Sequence, residues 1–185
     1  MQPLLNEITQ VFEQADELYS PADIDQAIDR MAEQINAELA DANPVVYSVM
    51  NGALVLTGHL VTRLNFPMEI SYLHATRYRN ETQGSSLDWR AFPQQDVKDR
   101  SVLIVDDIYD EGGTLAAIVD HCIAGGAKEV RVAVLINKTH NRKVRPNMKI
   151  DYVGMQCVDR YVFGFGMDYK GYWRNAPGIY AVKGL

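Results

Sequence analysis

VLIVDDIYDEGGT, Val102 to Thr114, decides how this chain reads. Four apolar residues run into two adjacent acids, Asp106 and Asp107; a third acid, Asp110, follows, and then come Glu111, Gly112, Gly113 and Thr114. If VLIV is a parallel strand, the acids sit at its carboxyl end, where open α/β sheets bind ligands in the crevice beyond the strands. Residues 110 to 114 then form the turn into a helix, and the backbone N–H groups of Glu111, Gly112, Gly113 and Thr114, with the Thr114 hydroxyl, can converge on a phosphate. It is not a Walker A loop, because it lacks GK[ST] and the acids come first. Carboxylates upstream of a phosphate cradle suit a ligand with both hydroxyls and a phosphate, such as a phosphorylated sugar. An acidic strand end followed by an ordinary glycine turn accounts for the bare DD-x-x-D-x-G-G-T spacing about equally well.

The remaining sequence supplies the frame. At 185 residues and 47% hydrophobic, the chain is long enough for one well-buried core, and nothing marks a second one. The formal charge of -6 and pI near 5.2 argue against a general nucleic-acid or anionic-membrane binder. Cys122 and Cys157 stand in no metal-ligand spacing, and MQPLLNEITQ lacks the order of a signal peptide, so a reducing cytoplasm is expected. No apolar run approaches the roughly 20 residues that span a bilayer.

Leu4, Leu5, Ile8, Val11, Phe12, Leu18 and Tyr19 recur at helical spacing as far as Ser20-Pro21, which closes one helix and opens another. The second shows Ile24, Ile28, Met31, Ile35 and Leu39 on one face and ends before Asn43-Pro44. Beyond Pro44, VVYSVM, MEISYLH, VLIV, VRVAVLI and DYVGMQC are short apolar runs, with helical segments at Ala53–Leu64 and Thr114–Ala124. Runs apolar throughout fit strands covered on both faces, so a largely parallel α/β sheet is expected. Arg79 to Arg100 is polar and long, and a lid or binding arm is favoured there over a surface hairpin. His59 and His121 fall on expected helices; His140, two residues past Lys138, could touch ligand but sits in no catalytic pattern, and Arg142-Lys143-Val144-Arg145 reads as a solvated face.

The thirteen-residue pattern as a whole resembles the phosphoribosyl pyrophosphate (PRPP) motif of the type I phosphoribosyltransferases. INKTH, with Lys138, and DRYVFGFGMDYKGYWR look like the 6-oxopurine, hypoxanthine-guanine branch. The resemblance covers about residues 45 to 182 and is weakest in the first forty. It implies a single domain with a mostly parallel central sheet flanked by helices: an N-terminal helical segment (1–43), a core (44–158) and a purine-binding segment (159–185). A small hood would be built from the N-terminal helices and the C-terminal segment.

It also implies roles. Asp106 and Asp107 would hold the ribose and magnesium, Asp110 would be the general base, and Glu111, Gly112, Gly113 and Thr114 would hold the 5′-phosphate. Lys138 would donate to purine O6, Tyr161 would stack on the base, and Val162 and Asp168 would read its edge. Asp168 would also serve a magnesium ion, through water, and Arg174 the pyrophosphate, while Met50-Asn51-Gly52 matches the pyrophosphate loop, where a non-proline cis peptide is usual. Two departures stand out: Asn51 replaces a common lysine, and TRYRN replaces a Ser-Tyr pair, leaving Tyr78 as the closing residue of the mobile loop and Arg77 or Arg79 as substitutes for the lost charge. Mg2+ is the expected cofactor, and PRPP and a 6-oxopurine the expected partners, in a homodimer or homotetramer. Other readings are a xanthine-preferring enzyme, a PRPP-sensing nucleic-acid-binding regulator and an inactive binder.

Overall fold

A computed structural model describes residues 2–77 and 87–184. In chain order the elements are α1 (Gln2–Gln14), β1 (Asp16–Tyr19), α2 (Pro21–Leu39), β2 (Val45–Val49), α3 (Leu54–Val61), β3 (Glu69–Arg77) and β4 (Leu87–Ala91). They continue with β5 (Ser101–Tyr109), α4 (Gly113–Ala124), β6 (Glu129–Thr139), β7 (Tyr152–Val158), β8 (Val162–Phe163) and β9 (Ile179–Ala181). Six strands form one sheet in the order β4-β3-β2-β5-β6-β7, and β1-β9-β8 form a second, small one.

In the large sheet β3, β2, β5, β6 and β7 are parallel, as the uninterrupted apolar runs predict. Every residue of β2, VVYSV, is buried, and Val102 to Val105 of β5 are fully covered. Helix α2 packs on this sheet near β7. Its start is specified locally: Ser20 Oγ accepts the Asp23 N–H at 3.3 Å, Asp23 Oδ2 accepts the Ser20 N–H at 2.9 Å, and Pro21 occupies the first turn. Its buried stripe, Ile24, Ile28, Met31, Ile35 and Leu39, is the one expected, and truncating any of these to alanine should cost about 2–5 kcal/mol.

The N-terminus departs from expectation. Helix α1 stops at Gln14, and Asp16–Tyr19, expected as its last turn, is strand β1, paired antiparallel with β9 at Asp16↔Ala181 and Glu17↔Tyr180. Local periodicity favoured helix, but hydrogen bonding to a strand over 160 residues later wins. The hood differs in the same way: α1 and β1 join the small sheet, whereas α2 belongs to the large one. A separate cluster of Ile8, Phe163, Tyr169 and Val182, with Phe12 and Trp173 packed on it, forms its core. The Trp173 indole N–H donates to Ile8 O at 2.7 Å, and its ring stacks on Phe12 with centroids 4.4 Å apart. Glu7 accepts from Tyr169 Oη at 3.2 Å and from Lys170 Nζ at 2.6 Å, so α1 is fastened to the 169–173 segment at three points.

Part of the stretch favoured as a lid is an antiparallel edge strand instead. β4 pairs with β3 at Ala75↔Trp89, and Trp89 stacks on Phe92 with centroids 4.8 Å apart. Tyr78 and Arg79 lie outside the described residues. Among those residues no helix is long and apolar enough to cross a membrane.

Candidate active site

Strand β5 runs four residues further than VLIV, so Asp106 and Asp107 lie within it, and the turn into α4 is short. Asp107 is buried. Its carboxylate packs so closely on the Met50-Asn51-Gly52 loop that a Cβ at Gly52 would lie 2.0 Å from Asp107 Oδ2, so any larger residue there would force the carboxylate to move. The Met50–Asn51 peptide is cis, as the resemblance implied. Burial and the neighbouring Asp107 charge push the Asp106 carboxyl well above the usual range. Burial also raises Asp107, against the hydrogen bond from Asp106 and the Arg174 charge.

The glycine turn leads directly into α4. Gly112 caps α4 with φ 77°, and a Cβ there would fall 2.0 Å from the Tyr109 ring, so both backbone and space demand glycine. Gly113 and Thr114 open α4, whose first-turn N–H groups have no intrahelical acceptor and receive no side-chain cap.

Asp110 has a different environment. Its Oδ2 accepts from Lys138 Nζ at 2.8 Å, and its Oδ1 lies 2.7 Å from His140 Nε2. Burial alone would raise this carboxyl, but the hydrogen bonds from Lys138 and His140 outweigh it and hold Asp110 below the usual range. Lys138 is itself buried at the end of β6 and comes within 3.9 Å of Asp159 Oδ1. Asp159 also receives both terminal nitrogens of Arg142, and that pairing takes its carboxyl down to about 2.

On the far wall, Tyr161 is half exposed; its hydroxyl lies 3.5 Å from Asp168 O, and its ring meets Tyr169 edge-on at 5.6 Å. Val162 is buried in β8. Asp168 Oδ2 accepts the Gly171 N–H at 2.7 Å and Oδ1 accepts from Arg174 at 2.6 Å, while Arg174 also donates to Gly166 O at 2.6 Å. Asp107, Asp110, Lys138, Tyr161, Val162 and Asp168 line one cavity of about 240 Å³, joined by Ile108 and Met167. Asp106, Asn51, the glycine turn and Arg174 lie outside its lining.

Arg142 and Asp159 escaped the sequence reading, and His140 was noted beside Lys138 without a catalytic role. Arg142 is no idle member of a solvated face, nor is Lys143, whose ammonium donates to Tyr109 O at 2.7 Å and lies 3.6 Å from the centre of the Tyr109 ring. A signal existed: Lys138 and His140 are two apart at a strand end and so share a face. The parallel pairing Thr139↔Val158 then brings residues 140 and 159 side by side, which no local pattern reveals. Asp110, His140 and Asp159 each offer an atom within 4.8 Å of the others, a spacing open to a metal ion. Lys138 and Arg142 already place two cations against the two carboxylates, so the group is better described as an ion-pair network.

The match to known proteins is broad. A model of the phosphoribosyl transferase domain family matches residues 14–170. The hypoxanthine-guanine phosphoribosyltransferase of Bacillus subtilis (strain 168) is 29% identical over 168 residues, covering 90% of this chain and 92% of its own. A hypoxanthine-guanine-xanthine phosphoribosyltransferase of Tritrichomonas foetus is 27% identical over 181 residues, 98% of this chain and 95% of its own. Among solved structures, a hypoxanthine-guanine phosphoribosyltransferase of Bacillus anthracis superposes with a TM-score of 0.84 at 27% identity, covering 90% of this chain and 98% of that one. The β5 acids, the glycine turn after them and the matched span agree: the chain belongs to the phosphoribosyl transferase domain family and has the type I fold.

Proposed function

We propose that this protein is a purine salvage enzyme that transfers the 5-phosphoribosyl group of PRPP to N9 of a 6-oxopurine, releasing pyrophosphate. The observation that carries the reading is the single cavity shared by a cationic Lys138, an aromatic Tyr161 and the carboxylates Asp107, Asp110 and Asp168. A purine with an oxo group at C6 offers an acceptor to an ammonium, a flat face to an aromatic ring and a ring nitrogen to a carboxylate.

In this reading the glycine turn, Glu111 to Thr114, binds the 5′-phosphate through backbone N–H groups. Asp106 and Asp107 accept the ribose hydroxyls and stabilise positive charge on the sugar as the bond at C1 breaks. Arg174 serves the pyrophosphate: two of its five N–H donors are engaged, leaving others. The cis loop at Met50-Asn51-Gly52 offers backbone donors to the same group. Lys138 turns from Asp110 to the base O6, Tyr161 stacks on the ring, and Val162 and Asp168 meet its edge. Asp110 then takes the proton from the base as general base.

The donor set fits Mg2+. Asp106 and Asp107 are hard oxygen donors in a raised, like-charged pair that a cation would relieve, and Asp168 keeps acceptor capacity beyond its two hydrogen bonds. These carboxylates would hold the ion, which would supply charge neutralisation for the pyrophosphate. The cytoplasm is the proposed compartment, and a homodimer or homotetramer the proposed assembly.

The test is a magnesium-dependent assay with PRPP and each of hypoxanthine, guanine, xanthine and adenine. Nucleotide formation with one or more 6-oxopurines and little with adenine is expected. Absence of product with every base, alongside PRPP binding, would turn the reading toward a regulator or inactive relative. Xanthine belongs in the panel because one of the similar proteins carries that base in its name.

A further inference from the structure

Asp110 is held at both carboxylate oxygens, and the two holds differ in kind. Lys138, on Oδ2, is the group assigned to the base O6 and must leave when a base arrives. His140, on Oδ1, has no such second task. Its side chain is 4% exposed, and its other ring nitrogen, Nδ1, accepts the Arg142 backbone N–H at 3.1 Å. With Nδ1 an acceptor, the ring proton belongs on Nε2, so Nε2 donates to Asp110 across the 2.7 Å contact. Arg142 is in turn tied to Asp159, which anchors the backbone that orients the ring.

We infer that His140 is a positioning residue for phosphoribosyl transfer: it fixes one oxygen of Asp110 so that the other faces the base as Lys138 departs. The inference rests on the purine reading proposed above. A carboxylate released by its lysine would otherwise turn about its χ2 angle, and a general base works only within hydrogen-bond reach of its proton. The charged and titratable groups around Asp110 are Lys138 from β6, His140, Arg142 and Lys143 from the segment after it, Asp159 from the segment after β7, and its own neighbour Glu111. Of these, Lys138 and His140 make the side-chain hydrogen bonds that lower the Asp110 carboxyl.

The experiment uses the full chain with His140→Leu and His140→Gln. A glutamine amide N–H can reach the place of the imidazole Nε2–H, whereas leucine cannot donate. Both variants have room, since His140 borders a cavity of about 490 Å³ lined also by Met148, Ile150 and Val153. For His140→Leu, kcat should fall about tenfold with KM for PRPP changed less than about twofold, and His140→Gln should recover kcat to within about threefold. The acid limb of the kcat profile should move to higher pH in the leucine variant only, because one of the bonds holding Asp110 down is gone. Full activity in His140→Leu, or equal losses in both variants with an unmoved acid limb, would overturn the inference. If the unaltered protein makes no nucleotide, the purine reading fails by itself. A 13C-carboxyl NMR titration of Asp110 then judges the bond: an upward shift confined to His140→Leu upholds it, and no shift refutes it.

Discussion

The end of β5 and the loop that follows carry three carboxylates within five residues, and burial acts on all of them, yet their titration goes in opposite directions. Asp106 and Asp107 share a covered space with like charge and are pushed up. Asp110 meets an ammonium and an imidazole and is pulled down. What separates them is the neighbouring strand: the end of β6 supplies Lys138, and His140 follows directly. One short motif therefore contains two electrostatic environments. The pair is pushed toward its protonated form, and the single acid is kept ionised.

The sharpest way to break this contrast is Asp110→Asn, which removes the ionised acid and leaves the raised pair. A fall in kcat of about 100-fold is expected, in line with loss of a general base, with PRPP binding by calorimetry largely retained. A loss of PRPP binding as large as the loss of rate would mean that the two environments work as one. Lys138→Ala is next: kcat/KM for hypoxanthine should drop about tenfold, as expected when a charged hydrogen-bond donor is lost, and the preference over adenine should narrow. A base panel run with the variant checks it.

Asp106→Asn should show the smallest effect and the opposite sign. Without ligands it should raise Tm near neutral pH by about 2–4 °C, since it removes a buried repulsion and keeps the side-chain oxygen that accepts the Asp107 N–H. The sign follows from linkage. A carboxyl raised in the folded state binds its proton more readily there than in the unfolded chain, so the protein gains stability as pH falls through the raised value toward the ordinary 3.8. The advantage of the asparagine variant should therefore vanish below about pH 4. Asp110, lowered, behaves in reverse: its contribution is present above the ordinary carboxylate value and is lost as pH falls through its lowered one. Thermal melts from about pH 2 to pH 8 measure both.

How much of this was legible depended on whether the deciding interactions were local. The α2 stripe and its Ser20-Pro21 start are encoded within one helix, and the buried strands announce themselves by unbroken apolar runs. The cavity residues Asp107, Asp110, Lys138, Tyr161, Val162 and Asp168 were named because a family pattern orders them along the chain. Asp16–Tyr19 misled because its apolar residues keep helical spacing while its partner strand lies at the other end of the sequence. Asp159 was missed, and His140 left without a catalytic role, for the same reason: each is an ordinary polar residue until the order of β6 and β7 sets them side by side. Arg142 looked solvated because its partner, Asp159, is 17 positions away.

The indole of Trp173, donating to Ile8 and stacked on Phe12, also makes the small sheet optically addressable. The chain contains two tryptophans, and the other, Trp89, sits on β4 at the far edge of the large sheet. With Trp89→Phe, the remaining emission reports the junction between α1 and the segment that carries Asp168 and Arg174; with Trp173→Phe, it reports the β3–β4 arm. Two single-tryptophan proteins would thus time, by stopped-flow fluorescence and without an attached dye, which end responds first when PRPP is added.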